Sequence, residues 1–246
     1  MKTFGLIGKK LTHSFSQKYF TDKFERLKLA EHQYVNFELS SIEELPELIK
    51  SQRPTGLNVT IPYKEEVIQF VDQLSQEASE VNAVNTLKIN YLSDDIEIIG
   101  HNTDVFGFRQ SIKPFFEGRH EKALILGTGG ASKAVEYVLK KLGVEVTLVS
   151  RQPKQGQLSY EEINEYVIKF HQMIVNTTPV GMYPHSDEKV DISYDALTNG
   201  HLLIDLIYNP EETQFLKEGK ARGAKTLNGL SMLHQQAEKA WEIWNE

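Results

Sequence analysis

The feature that most restricts the fold of this chain is an apolar run that leads directly into a cluster of glycines. Residues 123–126 are Ala-Leu-Ile-Leu, Gly-Thr-Gly-Gly follows at 127–130, and a helix-forming stretch continues over 131–142. A continuous apolar run of this kind is typical of a parallel strand buried on both faces. Glycines between such a strand and a helix allow a tight turn and let a pyrophosphate approach amides at the helix N-terminus. The pattern predicts a dinucleotide-binding βα unit, with a purely structural βα turn as the alternative.

Short apolar runs alternate with amphipathic stretches along most of the chain. Strands are predicted at residues 3–7, 33–37, 56–60, 83–89, 96–99, 123–126, 144–149, 173–175 and 202–204. Helices are predicted at residues 16–29, 42–51, 104–116, 131–142 and 230–244. Alternation of this type favours parallel sheets wound with helices, so the expected fold class is α/β. Two α/β domains with a boundary near residue 102 account for the pattern most simply.

Charge and residue content restrict what the chain can bind. Its 246 residues carry a formal net charge of −7, which gives no sequence-wide reason to coat nucleic acid or an anionic membrane. Cysteine is absent, so disulfides, thiolate catalysis and cysteine-ligated metals are excluded. The apolar stretch at the N-terminus is too short for a signal peptide, and no run approaches the roughly 20 apolar residues of a membrane span. We therefore expect a cytoplasmic protein without a membrane or nucleic-acid partner.

The end of the strand after the glycine unit indicates which dinucleotide is bound. Sites that prefer NAD usually carry Asp or Glu here to bind the ribose 2′-hydroxyl. This chain has Ser150 and Arg151 instead, with Lys154 shortly after. An acid would repel a 2′-phosphate, whereas a guanidinium can pair with it through two parallel hydrogen bonds. Arg151 therefore predicts NADP(H) as the cofactor, with a solvated loop arginine as the alternative.

Polar side chains cluster where the predicted strands of the first half end. They are Ser14, Ser16, the string Asn58-Val59-Thr60-Ile61-Pro62-Tyr63-Lys64, Asn85-Thr86 and Asn102-Thr103-Asp104. Sites of α/β proteins normally lie at such ends, and hydroxyls, amides, one lysine and one carboxylate suit a small polyhydroxylated ligand. Taken singly, each piece is also explained by turn formation or by the start of a solvated helix.

Taken together, the motifs of both halves resemble those of the shikimate dehydrogenase family over nearly the whole chain. The strings that carry the resemblance are Ser14-x-Ser16, Asn58-Val59-Thr60-Ile61-Pro62-Tyr63-Lys64, Ala83-Val84-Asn85-Thr86, Gly100-x-Asn102-Thr103-Asp104, Gly127-x-Gly129-Gly130-Ala131, Asn176-Thr177-Thr178-Pro179-x-Gly181-Met182, Asp205-x-x-Tyr208-Asn209-Pro210 and Gly229-Leu230-x-Met232-Leu233. The resemblance implies reversible reduction of 3-dehydroshikimate to shikimate by NADPH, a step in making chorismate and the aromatic amino acids.

The resemblance also implies a role for each domain. Residues 1–102, with the C-terminal helix at about 230–246 packing back on them, would form the substrate-binding catalytic domain. Residues 103–229 would form a Rossmann-type domain with a doubly wound parallel sheet that binds NADP. The molecule would act on its small-molecule substrate as a monomer or a homodimer.

The resemblance implies catalytic roles for two residues of this chain. Lys64 resembles the proton donor, which acts as the base in the reverse direction. Asp104 resembles its partner, which binds the reacting hydroxyl region and orients Lys64. A nearby carboxylate favours a charged lysine and burial disfavours it, and these opposing effects stay open at this stage. The alternative for Asp104 is an acid that only stabilises the start of a helix.

The same carry-over assigns residues that bind without reacting. The substrate-binding set implied by the resemblance is Ser14, Ser16, Thr60, Lys64, Asn85, Asp104, Tyr208 and Gln236. The cofactor-binding set is Gly127, Thr128, Gly129, Gly130, Ala131, Ser150, Arg151, Thr177, Ile207, Gly229 and Met232. Within these sets the serines and Tyr208 would hold the substrate carboxylate. Two alternatives stay open for Gln236: it is a surface glutamine, or the binding role belongs to its neighbour Gln235.

Three further observations bound the assignment. Where the family often has Asn-Arg-Thr, this chain has Ser150-Arg151-Gln152-Pro153, which keeps the arginine but predicts weaker 2′-phosphate contacts. His13, His101 and His234 lie beside motifs without paired metal-ligand spacing, so no metal is expected. Two other functions stay open: an NAD-using quinate or shikimate dehydrogenase, and a dinucleotide-sensing protein without catalysis.

Overall fold

The computed structural model describes residues 1–11, 14–93 and 95–246, and its contacts divide the chain into two compact units. The first unit comprises Met1–Thr103 and Ala237–Glu246, and the second comprises Asp104–Gln236. Each unit is built around its own sheet. His13, named above, lies outside the described residues.

The first unit contains a six-stranded mixed sheet with strand order β2-β1-β3-β5-β6-β4 among the described residues. Its elements are β1 (Lys2–Gly8), α1 (Phe15–Arg26), β2 (His32–Glu38), α2 (Leu45–Gln52), β3 (Gly56–Val59), β4 (Gln73–Leu74), α3 (Gln76–Val81), β5 (Thr86–Tyr91) and β6 (Ile96–His101), with 3₁₀ turns at Ile42–Glu44 and Glu66–Phe70. Strand β1 pairs in parallel with β2 and β3, while β5 runs antiparallel to both β3 and β6. The carboxyl ends of β1, β3 and β6 and the start of β5 therefore share one edge of the sheet.

Local sequence signals explain where the helices of the first unit begin. The Ser14 hydroxyl accepts a hydrogen bond from the Gln17 backbone N–H at 3.2 Å and so caps α1. Ser41 and Glu44 form a reciprocal capping box at the turn that leads into α2. Such caps satisfy amide groups that a helix N-terminus leaves without intrahelical partners.

The C-terminal half of the last helix, α8 (Leu230–Asn245), packs on the first unit, as the fold prediction states. The buried indole N–H of Trp244 donates to the Leu87 carbonyl of β5 at 3.0 Å. A Cβ at Gly56 would lie 2.2 Å from the Trp244 ring, so only glycine lets β3 and the indole approach this closely. Phe4 and Phe20 pack on the same ring, at centroid distances of 5.0 and 5.3 Å.

The second unit contains a five-stranded sheet with strand order β11-β10-β9-β7-β8 among the described residues. Its elements are α4 (Thr103–Ile112, of which Thr103 belongs to the first unit), β7 (Lys122–Leu126), α5 (Gly130–Lys141), β8 (Glu145–Val149), α6 (Glu165–Phe170), β9 (Met173–Asn176), β10 (Leu202–Asp205), α7 (Gln214–Ala221), β11 (Lys225–Leu227) and the start of α8, with 3₁₀ turns at Tyr160–Glu162 and Tyr194–Ala196. Every strand pair is parallel, which confirms the predicted parallel sheet. The order reverses between β7 and β9, and ligands of open α/β sheets bind beyond the carboxyl ends at such a point.

The structure differs from the sequence prediction mainly in short elements. Strands β4 and β11 and helices α3, α6 and α7 were not predicted, because two to eight residues show too little periodicity. Helix α4 ends at Ile112 rather than Phe116. The cause is Pro114, which disfavours helical backbone at the residue before it.

Candidate functional site

The polar clusters of the first half meet at one edge of the six-stranded sheet. The segment with Ser14 and Ser16 follows β1, and the segment with Thr60 and Lys64 follows β3. Asn85 directly precedes β5, whose direction is opposite to that of β3. The topology therefore gathers these predicted substrate-binding residues at the edge where β1 and β3 end. This is also the point where the order β2-β1-β3 changes direction along the chain.

The orientation of the Asn85 side chain is fixed by the hydrogen bonds that its oxygen accepts. Its buried Oδ1 accepts hydrogen bonds from the Thr103 backbone N–H at 2.7 Å and from the hydroxyls of Thr103 and Thr86, both at 3.2 Å. A backbone N–H is always a donor, so the side chain must present its oxygen, and not its nitrogen, to Thr103. The Nδ2 group of Asn85 is thereby left to donate to an acceptor such as a ligand hydroxyl.

A chain of buried hydrogen bonds links Ser16 to this amide through residues the sequence analysis did not assign. The Tyr34 hydroxyl donates to Asn58 Oδ1 at 2.7 Å and also bonds to the Ser16 side chain. Asn58 Nδ2 donates to the Thr86 hydroxyl at 3.2 Å. Burial raises the pKa of Tyr34 far above its usual range, so its proton stays in place for the bond to Asn58.

Lys64 lies on a segment that the fold ties to the same edge. Its neighbour Tyr63 is buried, and the Tyr63 hydroxyl donates to the Leu39 carbonyl at 2.6 Å. The Lys64 carbonyl accepts from the Val84 N–H at 2.7 Å, one residue before Asn85. The Lys64 side chain is half-buried, and Thr60, also half-buried, anchors the start of the segment to β1 through the Ile7 carbonyl at 2.9 Å.

Three predicted substrate residues belong to the second unit. Asp104 is 7% exposed and lies in the first turn of α4. Tyr208 is half-buried, and burial raises the pKa of its hydroxyl. Gln236 is 9% exposed, so it is not a surface glutamine. A Cβ at Gly107 of α4 would lie 3.1 Å from Gln236, which places this stretch of α8 directly against α4.

The glycine loop between β7 and α5 has the properties of an anion site. Gly127 has a positive φ of 106°, and a Cβ there would lie 2.8 Å from the Thr177 hydroxyl oxygen, so glycine is required. Gly129, at the N-cap of α5, is different, since a Cβ there meets nothing within 4 Å. The first turn of α5 carries no acidic residue. Open space at the positive end of a 12-residue helix fits the pyrophosphate of a dinucleotide.

The remaining residues of the predicted loop and the next strand end are accessible. Thr128 is exposed, and Gly130 and Ala131, at the start of α5, are partly exposed. Arg151 follows β8 and is exposed, while Ser150 accepts from the Gln152 N–H at 3.2 Å and shapes the turn. Arg151 also lowers the pKa of nearby Tyr160, against a larger increase from burial. A guanidinium in this position suits a 2′-phosphate.

The loops after β9 and β10 are joined by a buried carboxylate. Asp205, at the end of β10, is fully buried and accepts hydrogen bonds from the Thr213 hydroxyl at 2.6 Å, the Ile207 N–H at 3.1 Å and Asn176 Nδ2 at 3.1 Å. Burial raises the pKa of Asp205 to about 6, although the three hydrogen bonds act in the opposite direction. The hydroxyl of Thr177, a member of the predicted cofactor-binding set, donates to the Leu126 carbonyl at 2.7 Å.

The last predicted cofactor residues are packed against the loop after β10. The Gly229 N–H donates to the Ile207 carbonyl at 3.0 Å. A Cβ at Gly229 would lie 2.0 Å from the Leu206 carbonyl oxygen, so no other residue fits this contact. Met232, on the first turn of α8, is 8% exposed, and Ile207 is 6% exposed.

Sequence reasoning missed several residues that organise these sites. Asn58, Thr86, Asn176 and Asp205 were recognised only as members of motifs, and Tyr34 was not singled out at all. One available signal was Asn58, which stands inside an otherwise apolar strand, where a buried amide requires partners.

Two other kinds of site are absent from residues 1–11, 14–93 and 95–246. Within these ranges no group of three or more histidines, aspartates or glutamates is arranged to hold a metal ion. None of the helices found there combines the length and apolar character needed to cross a bilayer.

Comparison with known proteins identifies relatives over the full length. Residues 6–87 match the model of the shikimate dehydrogenase substrate binding domain. A curated shikimate dehydrogenase (NADP(+)) from Clostridium beijerinckii is 42% identical over 259 residues, covering 100% of this chain and 93% of that protein. Seven further curated proteins with the same name are between 34% and 38% identical.

Solved structures show the same fold with ligands bound. Shikimate 5-dehydrogenase from Thermus thermophilus, in complex with NADP(H) and shikimate, is 30% identical with a TM-score of 0.85. Quinate dehydrogenase from Corynebacterium glutamicum, in complex with NAD, is 26% identical with a TM-score of 0.87. Each comparison covers 99% of this chain and 93% of the other.

Proposed function

Because this chain belongs to the shikimate dehydrogenase family, we propose that it reduces 3-dehydroshikimate to shikimate with Lys64 as proton donor and Asp104 as its partner. Its relatives identify it as an NADP-dependent oxidoreductase of the pathway to chorismate and the aromatic amino acids. The observation that carries the proposal is the edge of the first sheet. There the segment with Lys64 is bonded to the turn before β5, in which the Asn85 side chain is fixed with its oxygen toward Thr103.

The proposed chemistry needs one proton at a defined atom. Bound NADPH supplies a hydride to the carbonyl carbon of the substrate, and the carbonyl oxygen then requires a proton. Lys64 donates it from its ammonium group and, in the reverse direction, its amine accepts it. Asp104 accepts a hydrogen bond at the reacting hydroxyl and orients Lys64. Its burial at the helix N-terminus supports this role, because the positive end of α4 stabilises a carboxylate there.

Hydrogen-bonding groups around this centre would select a polyhydroxylated ring acid. The hydroxyls of Ser14 and Ser16, together with that of Tyr208, would hold the carboxylate. Thr60, Asn85 and Gln236 would contact ring substituents. The network through Tyr34 supports this assignment, because it fixes the Ser16 hydroxyl and the Asn85 amide through one continuous set of buried bonds.

The residues of the second unit fit NADP(H). The pyrophosphate would lie against the loop of residues 127–131, where Gly129 leaves open space. Arg151 would pair with the 2′-phosphate beside Ser150, and Thr177, Ile207, Gly229 and Met232 would line the nicotinamide side. A second candidate is an NAD-using quinate dehydrogenase, which the similarity to the Corynebacterium glutamicum enzyme favours. The absence of an acid at Ser150-Arg151 argues for NADP.

The test combines purified protein with NADPH and 3-dehydroshikimate. The controls replace NADPH by NADH, or supply quinate together with NAD+. We expect rapid loss of NADPH absorbance, formation of shikimate, and a higher kcat/KM for the NADP pair than for the NAD pair. Turnover of quinate with NAD+ in preference to shikimate would identify the second candidate. Binding of NADPH without any turnover would instead identify a dinucleotide-sensing protein.

Location and assembly belong to the same proposal. We propose a cytoplasmic enzyme, monomeric or homodimeric, without nucleic-acid or membrane partners. The net charge of −7 supports the absence of nucleic-acid and membrane partners. The need for an intracellular pool of NADPH supports the location. Sedimentation of the purified protein and fractionation of cells that express it would test both parts; a larger assembly or recovery with membranes would contradict them.

A further inference from the structure

Asp205 is a buried carboxylate that none of the proposed binding or catalytic roles uses. It is 0% exposed, and the three groups that bond to it are a hydroxyl, a backbone N–H and a side-chain amide, all neutral donors. Burying a carboxylate without a cationic partner is costly, even when hydrogen bonds compensate part of the loss. Such a group is therefore a candidate for a functional role.

Each bond of Asp205 holds a different segment of the second unit. The Thr213 hydroxyl, which also caps α7, bonds to Oδ2. The Ile207 N–H bonds to Oδ1 and fixes the loop after β10. Asn176 Nδ2 bonds to the same oxygen from the end of β9. One side chain thus joins the ends of β9 and β10 to the start of α7.

The bond from Asn176 extends the arrangement to the loop after β9. Because Asn176 Nδ2 faces Asp205, its Oδ1 faces the other way and accepts from the Thr178 N–H at 3.0 Å and the Thr178 hydroxyl at 2.6 Å. Thr177 lies between them, and its own N–H and hydroxyl both bond to the Leu126 carbonyl. The orientation of the Thr177 segment therefore depends on which donors hydrogen-bond to Asp205.

We propose that Asp205 is a positioning residue for the nicotinamide half of the cofactor, because its carboxylate fixes the two loops on which Thr177 and Ile207 stand. The proposal rests on the proposed function, which puts these two residues beside the nicotinamide. Only a carboxylate accepts hydrogen bonds on both oxygens. An asparagine here would turn an N–H₂ group toward one of the three donors and misplace at least one loop.

The test separates the two halves of the cofactor. Asp205→Asn is compared with wild type for the Kd of NADPH, for the Kd of 2′,5′-ADP, which carries only the adenosine half, and for Tm. We expect the NADPH Kd to rise at least about tenfold, as for loss of a hydrogen bond to a charged group, while the 2′,5′-ADP Kd changes less than about twofold. In turnover, the variant should show a raised KM for NADPH together with a lowered kcat.

Two further variants distinguish positioning from general stability. Thr213→Val removes one donor and should shift the NADPH Kd in the same direction by a smaller factor. Thr213→Ser keeps the hydroxyl and should show the wild-type Kd for NADPH. Tyr194→Phe is the matched control, because it removes another buried hydroxyl of this unit, one that bonds to the Val190 carbonyl at 2.8 Å and not to Asp205. It should lower Tm without changing either Kd.

Two results would overturn the proposal. One is Asp205→Asn with a lowered Tm and wild-type affinity for NADPH, which would make the role purely structural. The other is an equal loss of NADPH and 2′,5′-ADP binding, which would mean disruption of the whole unit. Failure of the proposed function is visible separately, since wild-type protein would then bind NADPH but not reduce 3-dehydroshikimate.

Discussion

The raised pKa of Asp205 predicts how the free energy of unfolding depends on pH. Its pKa is raised from 3.8 to about 6 in the folded chain, mainly by burial. A carboxyl group with a raised folded pKa contributes stability while it is protonated, and that contribution is lost as the pH rises through the folded value. The free energy of unfolding should therefore fall between about pH 4 and pH 6 on account of this group. Asp205→Asn cannot ionise and lacks that change.

The size of the effect follows from the shift. With about 1.4 kcal/mol for each pKa unit, ionising Asp205 in the folded state costs about 3 kcal/mol at pH 7. At about pH 4.5 the same calculation gives about 1 kcal/mol, because the unfolded chain is then only partly ionised and the folded chain stays protonated. The stability of wild type relative to Asp205→Asn should therefore be about 2 kcal/mol greater at pH 4.5 than at pH 7. Shifts of groups common to both proteins cancel in this difference.

Urea unfolding of both proteins from about pH 4.5 to pH 7 measures the difference. Far-UV circular dichroism follows the unfolding of both units. Tryptophan fluorescence follows the unfolding of the first unit, since Trp241 and Trp244 both belong to it. Tyr194→Phe should be destabilised equally at every pH. A difference between wild type and Asp205→Asn that does not change with pH would refute the reasoning. A change of the opposite sign would mean that the hydrogen bonds outweigh burial and lower the pKa of Asp205.

Three other substitutions test separate parts of the account. Trp244→Phe should lower the free energy of unfolding by about 1–3 kcal/mol in urea titrations, because the buried Leu87 carbonyl loses its donor; an unchanged value would contradict the packing of the last helix. Tyr34→Phe should raise the KM for shikimate several-fold with little change in kcat, whereas Tyr91→Phe, which also loses a phenol hydrogen bond in the first unit, should leave steady-state kinetics unchanged. Arg151→Ala should raise the KM for NADPH about tenfold and leave that for NADH unchanged; equal effects on the two cofactors would exclude a 2′-phosphate contact.

The parallel sheet of the second unit was predictable because its signal is local. Residues 123–126 are apolar throughout, and a glycine cluster and an amphipathic helix follow immediately. The structure confirms this βα unit, the α/β class and the packing of the terminal helix on the first unit. Strand order was not predictable, because pairings such as β7 with β9 join segments about fifty residues apart.

Boundaries and short elements were less accessible from sequence. Helix α4 stops at Ile112 because Pro114 restricts the residue before it, a signal that was present but outweighed by the apolar spacing up to Phe116. The two-residue strand β4 exists only because β6 offers it a partner. No pattern within Gln73–Leu74 could reveal that.

The candidate site shows the same division between local and long-range information. Motif strings identified Lys64, Asp104 and the glycine loop, and these assignments remain predictions until the variants are measured. The hydrogen bonds through Tyr34 could not be read from sequence, because its partners lie 18 and 24 positions away on other elements. The role of Asp205 depends in the same way on donors from three segments that meet only in the fold.

The most direct test of the central claim is the turnover of Lys64→Ala with NADPH and 3-dehydroshikimate, measured beside its Kd values for NADPH and shikimate. Lys50→Ala, which removes an exposed lysine of the first unit, is the control. If Lys64 donates the proton, kcat should fall about 10²–10⁴-fold while both Kd values change only a few-fold and the control is unaffected. Turnover of Lys64→Ala within twofold of wild type would contradict the account.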